Sequence, residues 1–326
     1  MGASGFLGSH VTRRLVERGD DVRVMLRPTS STRGIDDLDV QRCYGDIFDD
    51  DAVRSAMADR DVVFYCVVDT RAMLADPAPL YRTNVEGLSR VLDHAAAADL
   101  QKFVFVSTIC TIAVSGDGAP VTEDTPHNWA GKGGDYVRTR LAAEELVLEA
   151  ARHRGLPAVV MCVSNTYGPG DWQPTPHGAV VARAASGTMH FYARGAAAEV
   201  VGIEDAAAAM LLAAERGRIG QRYIISESYM SLREILSTAA DETGVAAPRF
   251  AVPMAALYAG AYATAPLRAL LPTRIPPLLT VVRLLDVTSP ADHTKATREL
   301  GWTPAPTADA IRRAARFYVE HRPHCR

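Results

Sequence analysis

A doubly wound α/β fold, a parallel sheet wrapped by helices, is predicted by three features of the sequence. Strand-length apolar runs at 22–26, 40–44, 62–67, 103–106 and 158–163 alternate with helix-length runs at 9–18, 50–58, 80–98 and 136–154. The helix-length runs carry apolar residues at spacings of three and four, as buried helix faces do. A glycine-rich string, Gly2-Ala-Ser-Gly5-Phe-Leu-Gly8, stands directly before the first of them. Such alternation is what parallel strands require, because each crossover between them needs a helix.

The size and charge of the chain agree with this class. Its 326 residues suggest two domains at about 150 residues each, or one large α/β domain with a smaller lobe. A dinucleotide-binding domain is expected over 1–165 and a substrate lobe over 166–326, with some later segments returning to the first domain. Lys and Arg number 35 against 38 Asp and Glu, for a net charge of −3, and 48% of residues are hydrophobic. Intrinsic disorder and a broad nucleic-acid footprint are therefore disfavoured, and a soluble globular protein is expected. The cysteines, Cys43, Cys66, Cys110, Cys162 and Cys325, are scattered and form no CxxC pair. Neither a disulfide framework nor a metal site is expected, and a reducing, cytoplasmic setting is. The charge-free run at 250–267 is rich in Ala and carries Pro253 and Pro266, so no membrane-spanning helix is expected there.

Each later element has its own signal. Gly168, Pro169, Gly170, Pro174, Pro176 and Gly178 crowd one segment and read as a loop opening the second lobe. A strand at 222–225, a helix at 232–243 and a closing helix at 308–320 follow.

The glycine string is spaced GxxGxxG, and a helix pattern follows at once. Glycines there let backbone N–H groups and a helix N-terminus approach a pyrophosphate, where a Cβ would obstruct. Its place before the alternating segments predicts the dinucleotide loop of a Rossmann-type fold; an ordinary Gly-rich turn is the alternative. In that fold the loop follows a central strand, yet only Met1 precedes Gly2, so the first strand is expected to be missing and Met1 to be an internal methionine of a longer protein. After the run at 22–26 comes Arg27, where an NAD-preferring site usually places an acid. Its guanidinium suits a 2′-phosphate, which favours NADP over NAD; the alternative is a solvated loop charge. Asp46 is placed to accept from an adenine amino group or to cap its own loop. Tyr136 and Arg140 share one helix face at i, i+4. A fixed cation there would favour the tyrosinate of a group that ordinarily titrates near 10; a surface pair is the alternative.

Several segments together resemble the extended short-chain dehydrogenase/reductase, or NAD-dependent epimerase/dehydratase, family, and within it the dihydroflavonol reductase-like and hopanoid-associated sugar epimerase-like branch. They are GASGFLG at 2–8, VRVMLRPTSS at 22–31, GD at 45–46, YRTNVEG at 81–87, FVFVST at 103–108, YVRTRLAAEE at 136–145, YGPGDWQPTP at 167–176 and KATRELGW at 295–302. The resemblance implies Tyr136 as acid/base, Thr108 as its partner on the substrate oxygen, and Arg140 where the family has lysine. For cofactor contacts it implies Gly2, Gly5, Phe6, Leu7, Gly8, Arg27, Asp46, Ile47, Val67 and Ser107, together with Tyr136 and Arg140. Thr108, Asn165 and His177 are implied on the substrate side, and Asn84 as support for the catalytic helix. A homodimer through the helices at 80–98 and 136–154 is also implied. Cys162 and Val163 stand where the family has Arg-Pro, and Tyr65, Val67 and Val68 depart from its His-x-Ala-Ala.

The activity expected is an NADP- or NAD-dependent oxidoreductase that interconverts a ketone and a secondary alcohol. The alternatives are a sugar or nucleotide-sugar epimerase/dehydratase and a weakly catalytic dinucleotide sensor. Because guanidinium does not shed its proton, slow turnover is expected with Arg140.

Overall fold

The structure is a computed structural model, and it describes residues 1–72, 74, 76–270 and 278–321, with 265–270 described in backbone only. Helix α1 (Phe6–Arg18) begins inside the glycine string and stops at Gly19, whose φ of 87° only glycine adopts easily. Strand β1 (Arg23–Leu26) pairs in parallel with β2 (Gln41–Tyr44). Helix α2 (Asp50–Met57) is capped by the Asp49 carboxylate, which accepts from the Ala52 amide, and leads into β3 (Val62–Tyr65). Helix α3 (Ala78–Tyr81) passes through a π-helical turn (Arg82–Gly87) into α4 (Leu88–Ala97). Strand β4 (Lys102–Thr108), helix α5 (Gly134–Arg154) and strand β5 (Ala158–Val163) complete the first half.

Beyond Val163 the chain forms β6 (Asn165–Tyr167), α6 (Pro176–Ala185), β7 (Phe191–Arg194), β8 (Ala197–Gly202) and α7 (Ile203–Arg216). There follow β9 (Arg222–Ile225), β10 (Ser228–Ser231), α8 (Leu232–Glu242), β11 (Phe250–Pro253) and α9 (Met254–Leu270). Helices α10 (Leu278–Asp286), α11 (Thr294–Leu300) and α12 (Thr307–Glu320) close the described chain. Among the described residues no helix is long and apolar enough to cross a membrane.

The main sheet runs β3-β4-β5-β9, all parallel. It is buried on both faces, as parallel sheets are. Phe103, Phe105, Ala158, Val160 and Cys162 face α4 and α5, whereas Val104, Val159, Met161 and Val163 face α7. The strand at 222–225 is thus the sheet's outer member. A second core joins Tyr167, Val181, Leu236 and Ile311 from β6, α6, α8 and α12, around the sheet β10-β8-β6.

Strands β1 and β2 form a sheet of their own, and no described strand lies between β1 and β3. Met1 reaches into that interval: its ammonium donates to the Phe64 carbonyl at 2.8 Å and its carbonyl accepts from the Cys66 amide at 3.0 Å.

Candidate active site

The glycine string forms a tight loop at the carboxyl end of β3. A Cβ on Gly2, whose φ is +83°, would lie 2.7 Å from the Cys66 carbonyl carbon, and one on Gly8 only 2.1 Å from the Gly2 carbonyl oxygen. The Gly5 amide donates to Gly2 O at 3.1 Å. Gly5 is also the N-cap of α1, so no side chain accepts from the first amides, those of Phe6, Leu7 and Gly8. A backbone this close-packed, with open donors at a helix N-terminus, fits a dinucleotide pyrophosphate.

The flanking residues divide. Arg27 is exposed, immediately after β1, in a turn where Ser30 Oγ accepts from its amide at 3.2 Å. Asp46 accepts from the Phe48 amide at 3.1 Å, the bond of a loop cap. Ile47 is core: it packs under Gly87, where an added Cβ would meet its Cδ1 at 2.3 Å. Val67 is half-buried, with its amide against Gly2.

At the end of β4 the chain turns through Thr108, whose hydroxyl accepts from the Cys110 amide at 3.3 Å. Tyr136, half-buried in the first turn of α5, faces this corner. Burial pushes its phenol up to about 12, a Cys110 thiolate would raise it further, and Arg140 and the Thr108 hydroxyl pull it down. Arg140 lies one turn further on and is 1% exposed. Its Nη2 donates to the Val106 carbonyl at 2.5 Å and its guanidinium stands 5.1 Å over the Phe105 ring. Nε and Nη1 find no partner among the described residues. A buried cation with two unused donors beside Tyr136 and Thr108 fits a ribose hydroxyl pair of a bound cofactor.

Ser107 is turned the other way. It is buried and its hydroxyl donates to Glu144 at 2.5 Å. Asn84, on the π-turn, accepts from the Asp69 amide at 2.8 Å and donates to the Asp69 carbonyl at 3.0 Å and the Thr139 hydroxyl at 3.2 Å. It therefore fastens the loop after β3 to the helix that carries Tyr136. Asn165 lies two residues beyond Val163, which is in register with Thr108, so the fold brings it to the same sheet end. His177 packs edge-on to Tyr167 at 5.4 Å, and burial lowers its pKa. Nothing in these contacts joins His177 to Tyr136 or Thr108.

A polar network behind the strand ends escapes a sequence reading. Glu144, 4% exposed, pairs with Arg222 Nε at 2.6 Å. Arg222 donates to the carbonyls of Thr111 and Glu123, both at 3.0 Å. Cys325 lies outside the described residues; the other cysteines are free, and among the described residues no His, Cys, Asp and Glu cluster could hold a metal ion.

The NAD dependent epimerase/dehydratase family model matches residues 1–226. The chain belongs to this family. Over 322 residues it is 30% identical to sterol demethylase protein B of Methylococcus capsulatus, covering 98% of this chain and 97% of the relative. A ketoreductase of Stigmatella aurantiaca, named for a 4-hydroxy-2-methyl-3-oxo-4-farnesyl-3,4-dihydroquinoline-1-oxide, is 32% identical over 329 residues, 96% of this chain and 95% of that one. The crystal structure of gox2253 superposes with a TM-score of 0.88 at 30% identity, over 98% of this chain and 97% of the other. The doubly wound Rossmann-type assignment therefore holds, for an oxidoreductase family that depends on NAD.

Proposed function

We propose that this protein is an NADPH-preferring oxidoreductase that interconverts a ketone and a secondary alcohol on an apolar small molecule. The observation that carries the reading is the corner where Tyr136 and Thr108 meet above the buried Arg140. The Gly2–Gly8 loop and α1 would hold the pyrophosphate, Arg140 the nicotinamide ribose, and Arg27 the 2′-phosphate. A bound nicotinamide supplies or receives the hydride. Everything else is done by the chain.

In the reducing direction the Tyr136 hydroxyl gives its proton to the carbonyl oxygen as negative charge develops there. The Thr108 hydroxyl donates to the same oxygen and fixes its position, as an oxyanion donor does. Arg140 stabilises the tyrosinate left behind but cannot pass on a proton, since guanidinium stays charged at every working pH. Tyr136 Oη must then be reprotonated from solvent. An apolar substrate is supported by the charge-free segment at 250–267. The start of α10 lies beside α5: a Cβ on Gly134, two residues before Tyr136, would meet Thr280 Cγ2 at 3.0 Å. The two relatives named for a sterol and a farnesylated quinoline agree with it.

The test is fluorescence titration with NADPH and NADH, followed by turnover on apolar ketones. Saturable binding with NADPH preferred, and oxidation of NADPH by one of the ketones, is the expected result. NAD retained through purification, with no exchange for NADPH, would replace this reading by an epimerase or dehydratase. Binding without turnover on any carbonyl would leave a dinucleotide sensor.

A further inference from the structure

Helix α8 begins in a capping box: the Ser231 hydroxyl accepts from the Glu234 amide at 3.2 Å, and the Glu234 carboxylate accepts from the Ser231 amide at 2.9 Å. That start puts Arg233, Leu236 and Ser237 on one helix face, at spacings of three and four. At the other end of α8 the Thr243 hydroxyl donates to the Ala185 carbonyl at 2.8 Å, and Gly244, with a φ of 70°, turns the chain back. The returning residues lead into β11, where the Phe250 amide donates to the His190 carbonyl at 3.1 Å and the strand pairs with β7. Arg249 is thereby brought to the same hollow as Arg233. The hollow has a volume of about 330 Å³, and Tyr192 of β7, Leu236, Ser237 and Pro248 are among its walls.

The charge of this hollow is one-sided, because no acidic residue lines it. Elsewhere on the lobe exposed arginines find carboxylates, Arg312 at Asp309 and Arg316 at Glu242. Arg233 and Arg249 are exposed too, yet neither has a hydrogen-bond or ion-pair partner among the described residues. Two guanidinium groups that share one small hollow repel each other, and an anion between them reverses that cost. We propose that the hollow binds a phosphate monoester with an apolar body. Two planar forks offer paired donors to the three terminal oxygens of a dianion; a carboxylate, with two oxygens and one charge, uses them only in part. Tyr192 adds a hydroxyl, and so does Ser237, whose hydroxyl now donates to the Glu234 carbonyl at 3.2 Å. Leu236 and Pro248 supply an apolar wall that free phosphate has no use for, in a volume that suits a small ligand. None of the lining residues belongs to β4, α5 or the glycine string. The site is therefore separate from the corner of Tyr136 and Thr108, and it stands whether or not that corner reduces a ketone.

The test is isothermal titration calorimetry of the whole chain, at constant ionic strength, with phenyl phosphate, inorganic phosphate and benzoate. Phenyl phosphate is expected to saturate below about 10 mM and to bind more tightly than either of the other anions. Arg233→Ala and Arg249→Ala are each expected to weaken it by about tenfold or more. Arg54→Ala, which removes an exposed arginine of α2, is expected to leave it unchanged. Arg249→Lys keeps the charge but not the fork, and its affinity is expected to fall between those of the parent and Arg249→Ala. Because these side chains are exposed, the variants are expected to melt with the parent. Equal affinities for the two phosphates would support the arginine pair and overturn the ester as its occupant. Tighter binding of benzoate would overturn phosphate. Absence of saturation, or phenyl phosphate binding that survives in both alanine variants and so sits elsewhere, as at the open amides of α1, would overturn the site itself.

Discussion

Tyr136 and Arg140 are stacked by helical geometry, but burial gives them different duties. The phenol is held near 12 mainly by desolvation, so at neutral pH it is a proton donor, and the tyrosinate fraction grows tenfold for each unit of pH. Reduction is therefore expected to be flat in kcat from about pH 7 to 10, and alcohol oxidation to climb across that range. Rate profiles in both directions check this, and a plateau in oxidation below about pH 9 would assign the proton to another group. Tyr136→Phe is expected to lower kcat by about 10²- to 10⁴-fold while changing the NADPH dissociation constant far less, as read by fluorescence titration. Arg140→Lys is expected to raise kcat, because an ammonium can hand on a proton and guanidinium cannot; an unchanged rate would show that the relay does not limit turnover. The spacing of this pair was legible in the sequence. That Arg140 lies almost wholly buried over Phe105, with two donors unused, was not, because it depends on β4 passing beneath α5.

Among the elements, the glycine string and α1 show why spacing alone is informative. Gly8 is fixed by the Gly2 carbonyl, an atom of backbone that cannot rotate away, so Gly8→Ala must shift the loop itself. It is expected to weaken dinucleotide binding by at least about tenfold, measured by titration beside a thermal melt that separates lost affinity from lost fold. Other elements were less legible. The run at 80–98 looked like one helix, and it contains a π-turn whose extra residue turns Asn84 inward to Asp69 and Thr139. Pro174 and Pro176 read as loop, yet Pro176 opens α6, where a missing amide costs nothing and Thr175 caps Gly178 at 3.1 Å. Strands β6, β7 and β10, of three or four residues, are too short to show a period, and tertiary pairing makes them.

Across the whole molecule, distant segments are joined at a few buried polar points, and Glu123 is one of them. It lies between β4 and α5, and its carboxylate accepts from the Ile224 amide on β9 at 2.8 Å, while its carbonyl accepts from Arg222. Nearby, Val121 bridges in parallel to Ala291, so the same loop also fastens the segment before α11. A chain read in order gives no sign that residues a hundred apart will meet, because hydrophobic periodicity reports burial and not partners. Burial raises the Glu123 pKa above the usual carboxylate range, and the Ile224 amide offsets this only in part. A folded-state value above the unfolded one means that its contribution to stability is full below the unfolded pKa and is lost as pH rises through the folded one. Glu123→Gln keeps an oxygen for Ile224 and removes the charge. The variant is thus expected to melt higher than the parent at about pH 8, with the difference shrinking as pH falls towards about 4.5. Thermal melts of both proteins across that range decide it: a difference independent of pH would show that Glu123 titrates alike in the folded and unfolded chain and that packing alone separates the two.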